Sequence, residues 1–279
     1  MREIDSALIT ETVARLCIEA NIKLPQDVRD CIAQRAGEET WPPAKEILDR
    51  ISENYSIAES EGMPICQDTG LACVFLEVGQ EVHISGNLSD AVNEGVRRGY
   101  REGFLRKSAV RDPLRRVNTG DNTPAMIYYD IVPGSAVKIT VAPKGFGREN
   151  MSRIKMLRPS DGVEGVKAFV LKTVEEAGPN PCPPIIVGVG IGGTFDKAAL
   201  LAKKALLRET GAPSPDPFYA ELEHELLTGI NALGIGPQGF GGRTTALAVS
   251  IEAMPTHIAG LPVAVNINCH VARHITEVL

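Results

Sequence analysis

The sequence predicts a mixed α/β protein, a helical N-terminal portion followed by a mixed β-sheet with flanking helices. Three observations carry this expectation. Residues 6 to about 60 repeat their apolar side chains with a helical period, the chain from residue 71 turns to β-favouring runs, and its second half alternates such runs with helix-periodic stretches. No internal repeat and no long linker interrupts the pattern, so one domain over residues 1–279 is expected, its helical portion covering about 1–60.

The opening helical blocks are "SALITETVARLCIEAN", "QDVRDCIAQRAG" and "PAKEILDRISENYSIAES", separated by Pro, Gly and charged breaks. Two β-rich runs follow, "LACVFLEV" and "EVHISG", and then a polar helix, "LSDAVNEGVRRGYREGFL", with Asn87 placed to cap it. "AMIYYDIV" and "AVKITVA" flank Pro133-Gly134 and suggest a hairpin. A helix near 161–177 precedes "PPIIVGVGIGGTFDKAALLAKKALL", which reads as strand, glycine turn and helix. A helical block over 216–231 leads to the last apolar runs, "TALAVSIEAMPTHIA" and "PVAVNINCHVARHI".

Composition removes several function classes. With 43% hydrophobic and 23% charged residues the chain has enough apolar material for a sizeable core. A net charge of -6 offers no basic footprint, and 5% aromatic content leaves few stacking platforms, so nucleic acid is not an expected partner. No apolar run is long enough to span a bilayer, and "MREIDSALITETVARL" is acidic and amphipathic where a secretory signal is basic and then apolar. The cytoplasm is the expected compartment and a disulfide framework is not expected.

Three motifs invite other readings. Asp68-Thr69-Gly70 matches the triplet of aspartic proteases, but that chemistry needs two carboxylates and no second triplet exists. Gly188-x-Gly190-x-x-Gly193 after an apolar run matches a dinucleotide fingerprint, yet the acidic residue about 20 positions on is replaced by a proline-broken stretch. A nucleotide-binding regulatory module is therefore the alternative from a different class. In "NCHVARH", His270 and His274 sit four apart near Cys269 and invite zinc on a helical face, with unusual spacing for such a site.

The six cysteines divide by context. Cys17 and Cys31 lie in helix-periodic segments and Cys73 in a β-favouring run, where a thiol behaves as a small hydrophobe. Cys66 stands in "GMPICQDTG", where Pro64 and Gly70 argue for a loop that also presents Gln67 and Asp68. Cys182 stands between prolines in "AGPNPCPPIIVGVG", which excludes helix, and Cys269 closes the run "PVAVNIN". If these three meet in the fold, thiolates favour zinc, copper(I) or an iron–sulfur cluster, and three ligands on a four-iron cluster leave one iron open.

Together "MPICQDTG", "PKGFGRENMS", "AGPNPCPPIIVGVGIGGTFDKA" and "MPTHIAGLPVAVNINCH" resemble the alpha portion of the iron–sulfur-dependent hydro-lyases, class I fumarate hydratase and L-tartrate dehydratase, in the family's order and over most of the chain. The resemblance implies a [4Fe-4S] cluster on Cys66, Cys182 and Cys269, with fumarate and (S)-malate as the substrate pair and L(+)-tartrate as the alternative. It gives Gln67 and Arg106 to substrate binding, Asp68 to proton transfer, His257 to the leaving hydroxyl, and Gly145 and Gly147 to close backbone approach. By residue type alone, Arg106 beside Arg101 and Lys107 also fits a solvated helix face, and His257 a satisfied core histidine. Arg106 clamps one end of a dicarboxylate that has two, so a separate beta subunit is expected, in an α2β2 assembly with an α dimer for the isolated chain.

Overall fold

The computed structural model describes residues 2–279 and has the expected α/β fold. Its elements begin β1 (Arg2–Asp5), α1 (Ser6–Ile22), α2 (Gln26–Glu38), α3 (Pro42–Glu61), β2 (Leu71–Gly79), β3 (Val82–Ser85) and α4 (Leu88–Glu102). They continue with β4 (Met126–Val132), β5 (Val137–Lys144), α5 (Phe146–Glu149), β6 (Arg153–Leu157), α6 (Gly162–Ala177) and β7 (Ile185–Gly193). The last are α7 (Phe195–Ala205), α8 (Pro217–Ala232), β8 (Ala246–Thr256), β9 (Leu261–Asn268) and β10 (Ile275–Val278).

The sequence suggested one mixed unit; the chain divides into two compact ones. The first comprises the chain up to Pro25, Tyr55–Gly145 and Arg273–Leu279, and the second Gln26–Asn54 and Phe146–Ala272. Neither is a continuous stretch, so no linker composition marks the division. The helical opening is shared out as well, with α1 in the first unit and α2 in the second.

In the first unit the sheet order is β10-β5-β2-β4. The expected hairpin of β4 with β5 does not form: β2 lies between them, parallel to β4 (Cys73↔Met126) and antiparallel to β5 (Val74↔Val141). Burial explains the choice. Ala72 through Leu76 of β2 are all buried, which suits a central strand, while β4 alternates exposed and half-buried residues and takes an edge. β1 pairs with β3 in a separate parallel ribbon, an element too short to show any period in the sequence. Helix α4 starts at Asn87, whose side chain accepts from Asp90 N. Its Gly95 and Gly99 sit against α1: a methyl at Gly95 would lie 2.8 Å from Thr10 O, and one at Gly99 2.6 Å from Ala14 O. That close approach sinks the next residue, Tyr100, into the core, fully buried.

In the second unit the order is β6-β9-β7-β8, with β7 parallel to β8 and antiparallel to β9. Alternation along β7 builds two layers of helix around it. Ile185, Val187, Val189 and Ile191 join the core with Val170 and Val174 of α6 and Leu226 and Ile230 of α8. The intervening Gly188 and Gly190 face α7, where a methyl would come within 2.2 Å of Ala202 O and 2.1 Å of Ala198 O. Two of the three fingerprint glycines are thus strand residues that admit a helix at close range, and only Gly192 and Gly193, at φ +92 and +65, form the turn.

The buried Glu223 ties α8 to β8. Glu223 Oε1 accepts from Arg208 Nη1 at 2.6 Å and from Ile251 N at 2.7 Å, and Oε2 accepts from Ser214 N at 2.8 Å. Glu223→Ala leaves a partly buried guanidinium and two backbone donors without this acceptor, so it is expected to cost about 2–4 kcal/mol. Urea unfolding of the cofactor-free chain should show the loss as a lower midpoint, with Glu223→Gln less affected.

Candidate functional site

In the first unit the loop before β2 is anchored from several directions. Tyr100 Oη donates to Thr69 O at 2.8 Å and lies 3.1 Å from Gly70 O, and Asn122 Nδ2 donates to Gly70 O at 3.2 Å. The buried Arg273 guanidinium donates to Asp68 O. Gly70, at φ +72, is pressed against β5, where a methyl would lie 2.6 Å from the carbonyl carbon of Lys144. Pairing of Leu71 with Lys144 brings the following residue, Gly145, to the same place.

On this pinned backbone stand the three side chains singled out from the sequence. Cys66 is half-buried on a bend, Gln67 is exposed and Asp68 is half-buried. Asp68 N–H donates to Cys66 Sγ at 3.4 Å, and the Asp68 carboxylate accepts from Gly70 N at 3.0 Å. Arg106 belongs to the same neighbourhood, because Thr69 Oγ1 donates to its carbonyl at 3.0 Å. It lies beyond the end of α4 with its side chain exposed, solvated as the alternative held but not on a helix face. A thiol, an amide and a carboxylate therefore stand side by side on this loop, with the Arg106 backbone bonded to Thr69 and Gly145 beside them.

In the second unit strand direction brings Cys182 and Cys269 to one end of the sheet. Cys182 precedes β7, Cys269 follows β9, and these strands are antiparallel with Ile186 opposite Asn268. Cys182 is exposed at φ 55 with its N–H held by Pro179 O at 3.0 Å. Its carbonyl lies 3.0 Å from His270 Nδ1, which also lies 3.2 Å from Gln238 Nε2. Gly147 of α5 borders this place too, since a methyl there would lie 3.7 Å from Asn180 O. Arg148, to which no role was assigned from the sequence, is buried and donates through Nη1 to Cys269 Sγ at 2.8 Å.

The helical face on which zinc was expected does not form. Residues 269–274 are not helical, and His270 serves the Cys182 loop.

His257 is neither a core residue nor close to the second unit's cysteines. It is exposed on the turn between β8 and β9, with Nδ1 accepting from Ala259 N at 3.2 Å. Because β8 runs parallel to β7 and pairs Thr256 with Gly193, His257 marks the end of the sheet opposite Cys182 and Cys269. The eight residues of β9 separate the two ends by about 25 Å. Sequence reasoning grouped His257 with the other site residues because position in a motif carries no strand direction.

Arg273, Tyr100 and Asn122 were missed. Arg273 has a faint signal as a charge in "HVARHI", whereas Tyr100 in "VRRGYREG" and Asn122 in "TGDNTP" sit in polar stretches that carry none.

Comparison with known proteins gives consistent matches. The family model described as fumarate hydratase (Fumerase) matches residues 10–278. A Methanocaldococcus jannaschii protein, provisionally named L(+)-tartrate dehydratase subunit alpha, is 46% identical over 272 residues, 95% of each chain. The L(+)-tartrate dehydratase subunit alpha of Escherichia coli K12 is 36% identical, covering 96% of this chain and 89% of its own.

Proposed function

The chain belongs to the fumarate hydratase (Fumerase) family, and from that premise we propose that it is the alpha subunit of an iron–sulfur hydro-lyase that reversibly hydrates fumarate to (S)-malate. The observation that carries the reading is that Cys66, Gln67 and Asp68 stand side by side, with the Arg106 carbonyl bonded to Thr69, on a loop that Tyr100, Asn122 and Arg273 hold in place. A pinned loop keeps reacting groups within the narrow tolerance that proton transfer and substrate orientation require.

Cys66, Cys182 and Cys269 are the residues that would hold a [4Fe-4S] cluster, which when bound supplies a Lewis acid toward a substrate hydroxyl and carboxylate. The donor set suits it. All three cysteines lie outside helices and strands and outside any disulfide, sulfur ligands favour iron–sulfur chemistry, and donors from Asp68 N and Arg148 Nη1 already face two of the sulfurs.

The remaining work falls to the chain's own side chains. Gln67 hydrogen-bonds the substrate, and Asp68 helps transfer the proton at the carbon beside a carboxylate. Arg106 presents a guanidinium fork to one carboxylate, and the glycines at 145 and 147 let ligand approach the backbone. His257 acts at the hydroxyl. Its place at the far end of the β7–β9 sheet makes a second copy of the chain its source for any given site, in keeping with an α dimer. A beta subunit binds the second carboxylate and completes an α2β2 enzyme. No helix among the described residues is long and apolar enough to cross a membrane, and we place the enzyme in the cytoplasm.

The names of the relatives favour a second reading, dehydration of L(+)-tartrate. Both are tested by anaerobic reconstitution of this chain with iron and sulfide, followed by assays with fumarate, (S)-malate and L(+)-tartrate before and after adding the beta chain. The expected result is cluster uptake by this chain, turnover that rises at least about a hundredfold with the beta chain, and a kcat/KM for fumarate or malate above that for tartrate. A preference for tartrate of about tenfold, near 1.4 kcal/mol in transition-state binding, would establish the second reading instead. Failure to bind iron and sulfide would overturn both.

A further inference from the structure

Cys269 stands where β9 has ended, and residues 269–274 belong to no helix or strand. A metal ligand on such backbone needs support from elsewhere. Arg148 provides it, because its Nη1 donates both to Cys269 Sγ at 2.8 Å and to Val271 O at 2.7 Å, joining the thiol to the main chain two residues on. The guanidinium is buried, planar and permanently charged, so its geometry and its charge are fixed together.

Arg148 is itself held rigidly. Its neighbour Glu149 accepts from Lys203 Nζ of α7 at 2.7 Å and from Asn266 Nδ2 of β9 at 2.8 Å. Ser152 Oγ, three residues further, accepts from Asn266 Nδ2 at 2.8 Å and from Ile267 N at 3.3 Å. The short helix α5 is thereby fastened to the same strand whose end carries Cys269.

Resting on the hydro-lyase reading, we propose that Arg148 is a positioning residue for the third cluster ligand: it orders the segment Cys269–Ala272 and sets a buried positive charge against the ligand sulfur. A donor and a positive charge at a cluster sulfur favour the reduced, more negative state, so this contact raises the reduction potential. An ordered ligand also dissociates less readily.

The test uses the full chain with Arg148→Met, which keeps bulk but removes charge and donors, and Arg148→Lys, which keeps the charge but not the planar fork. In the cluster-free chain, amide hydrogen exchange of residues 269–272 is expected to speed up about tenfold in Arg148→Met, with the core of β7 and α8 unchanged. After reconstitution, the midpoint potential of that variant is expected to fall and loss of the cluster to an iron chelator to accelerate at least about tenfold, with Arg148→Lys between it and the unaltered chain. Exchange, potential and loss rate all matching the unaltered chain in both variants would overturn the inference. If Arg148→Met does not fold, Arg148→Lys is judged by the same three readouts. Failure of the unaltered chain to take up a cluster would defeat the hydro-lyase reading and with it the ligand role, whereas the exchange measurement reads the staple without any cluster.

Discussion

Serine at Cys66, Cys182 or Cys269 is expected to abolish the broad iron–sulfur absorbance of the reconstituted chain and to lower turnover at least about a hundredfold, since loss of even a group supporting a ligand costs 10–100-fold. Serine at Cys17 or Cys31 is expected to spare both. Cys17 is fully buried in α1, where loss of water pushes its thiol up to about 12, so it offers almost no thiolate at neutral pH. Burial likewise raises Cys31, whose Sγ lies 3.7 Å from Leu247 O. Cys73 is the sharper control, being buried in β2 only seven positions from Cys66. Cys73→Ser buries a hydroxyl and should cost about 1–3 kcal/mol of stability while retaining the absorbance. Visible spectra with iron and sulfide analysis decide the matter, and a cluster lost from Cys73→Ser but kept by Cys66→Ser would refute the ligand assignment.

Why three of six thiols stand out in sequence while their surroundings do not has a physical explanation. Proline on both sides of Cys182 and the Pro64–Gly70 frame around Cys66 constrain backbone locally, so their loop placement was legible from neighbours alone. The α/β class was legible for the same reason, because helical and strand periods are local properties. Pairing is not local. The sequence put β4 and β5 in a hairpin because a turn separates them, whereas β2, with its buried apolar run Ala72–Leu76, takes the centre and divides them. The glycines of β7 show the same limit: spacing suggested a phosphate loop, and only the helix packed against Gly188 and Gly190 reveals them as room for α7. Arg148 and Arg273 were illegible because their acceptors, Cys269 Sγ with Val271 O and Asp68 O, lie far along the chain.

Strand direction leads to an expectation that no motif carries. Within one chain His257 lies about 25 Å from Cys182 and Cys269, the length of β9, and the buried strand between them cannot shorten. If His257 acts at the hydroxyl, it does so in a site whose cysteines belong to a second copy. His257→Asn and Cys182→Ser should then each be nearly inactive alone, at least about a hundredfold below the unaltered enzyme, yet complement when mixed. Random exchange makes half of the dimers mixed, and each mixed dimer regains one site of two, so activity should recover to about a quarter of the unaltered level. The readout is turnover after co-reconstitution of the two variants with the beta chain. Recovery of that size cannot arise if histidine and cysteines serve the same site from the same chain, because every such site would carry one of the two lesions. A mixture as inactive as its components, in samples where native mass spectrometry shows that mixed dimers have formed, would return His257 to the service of its own chain or remove it from the reaction.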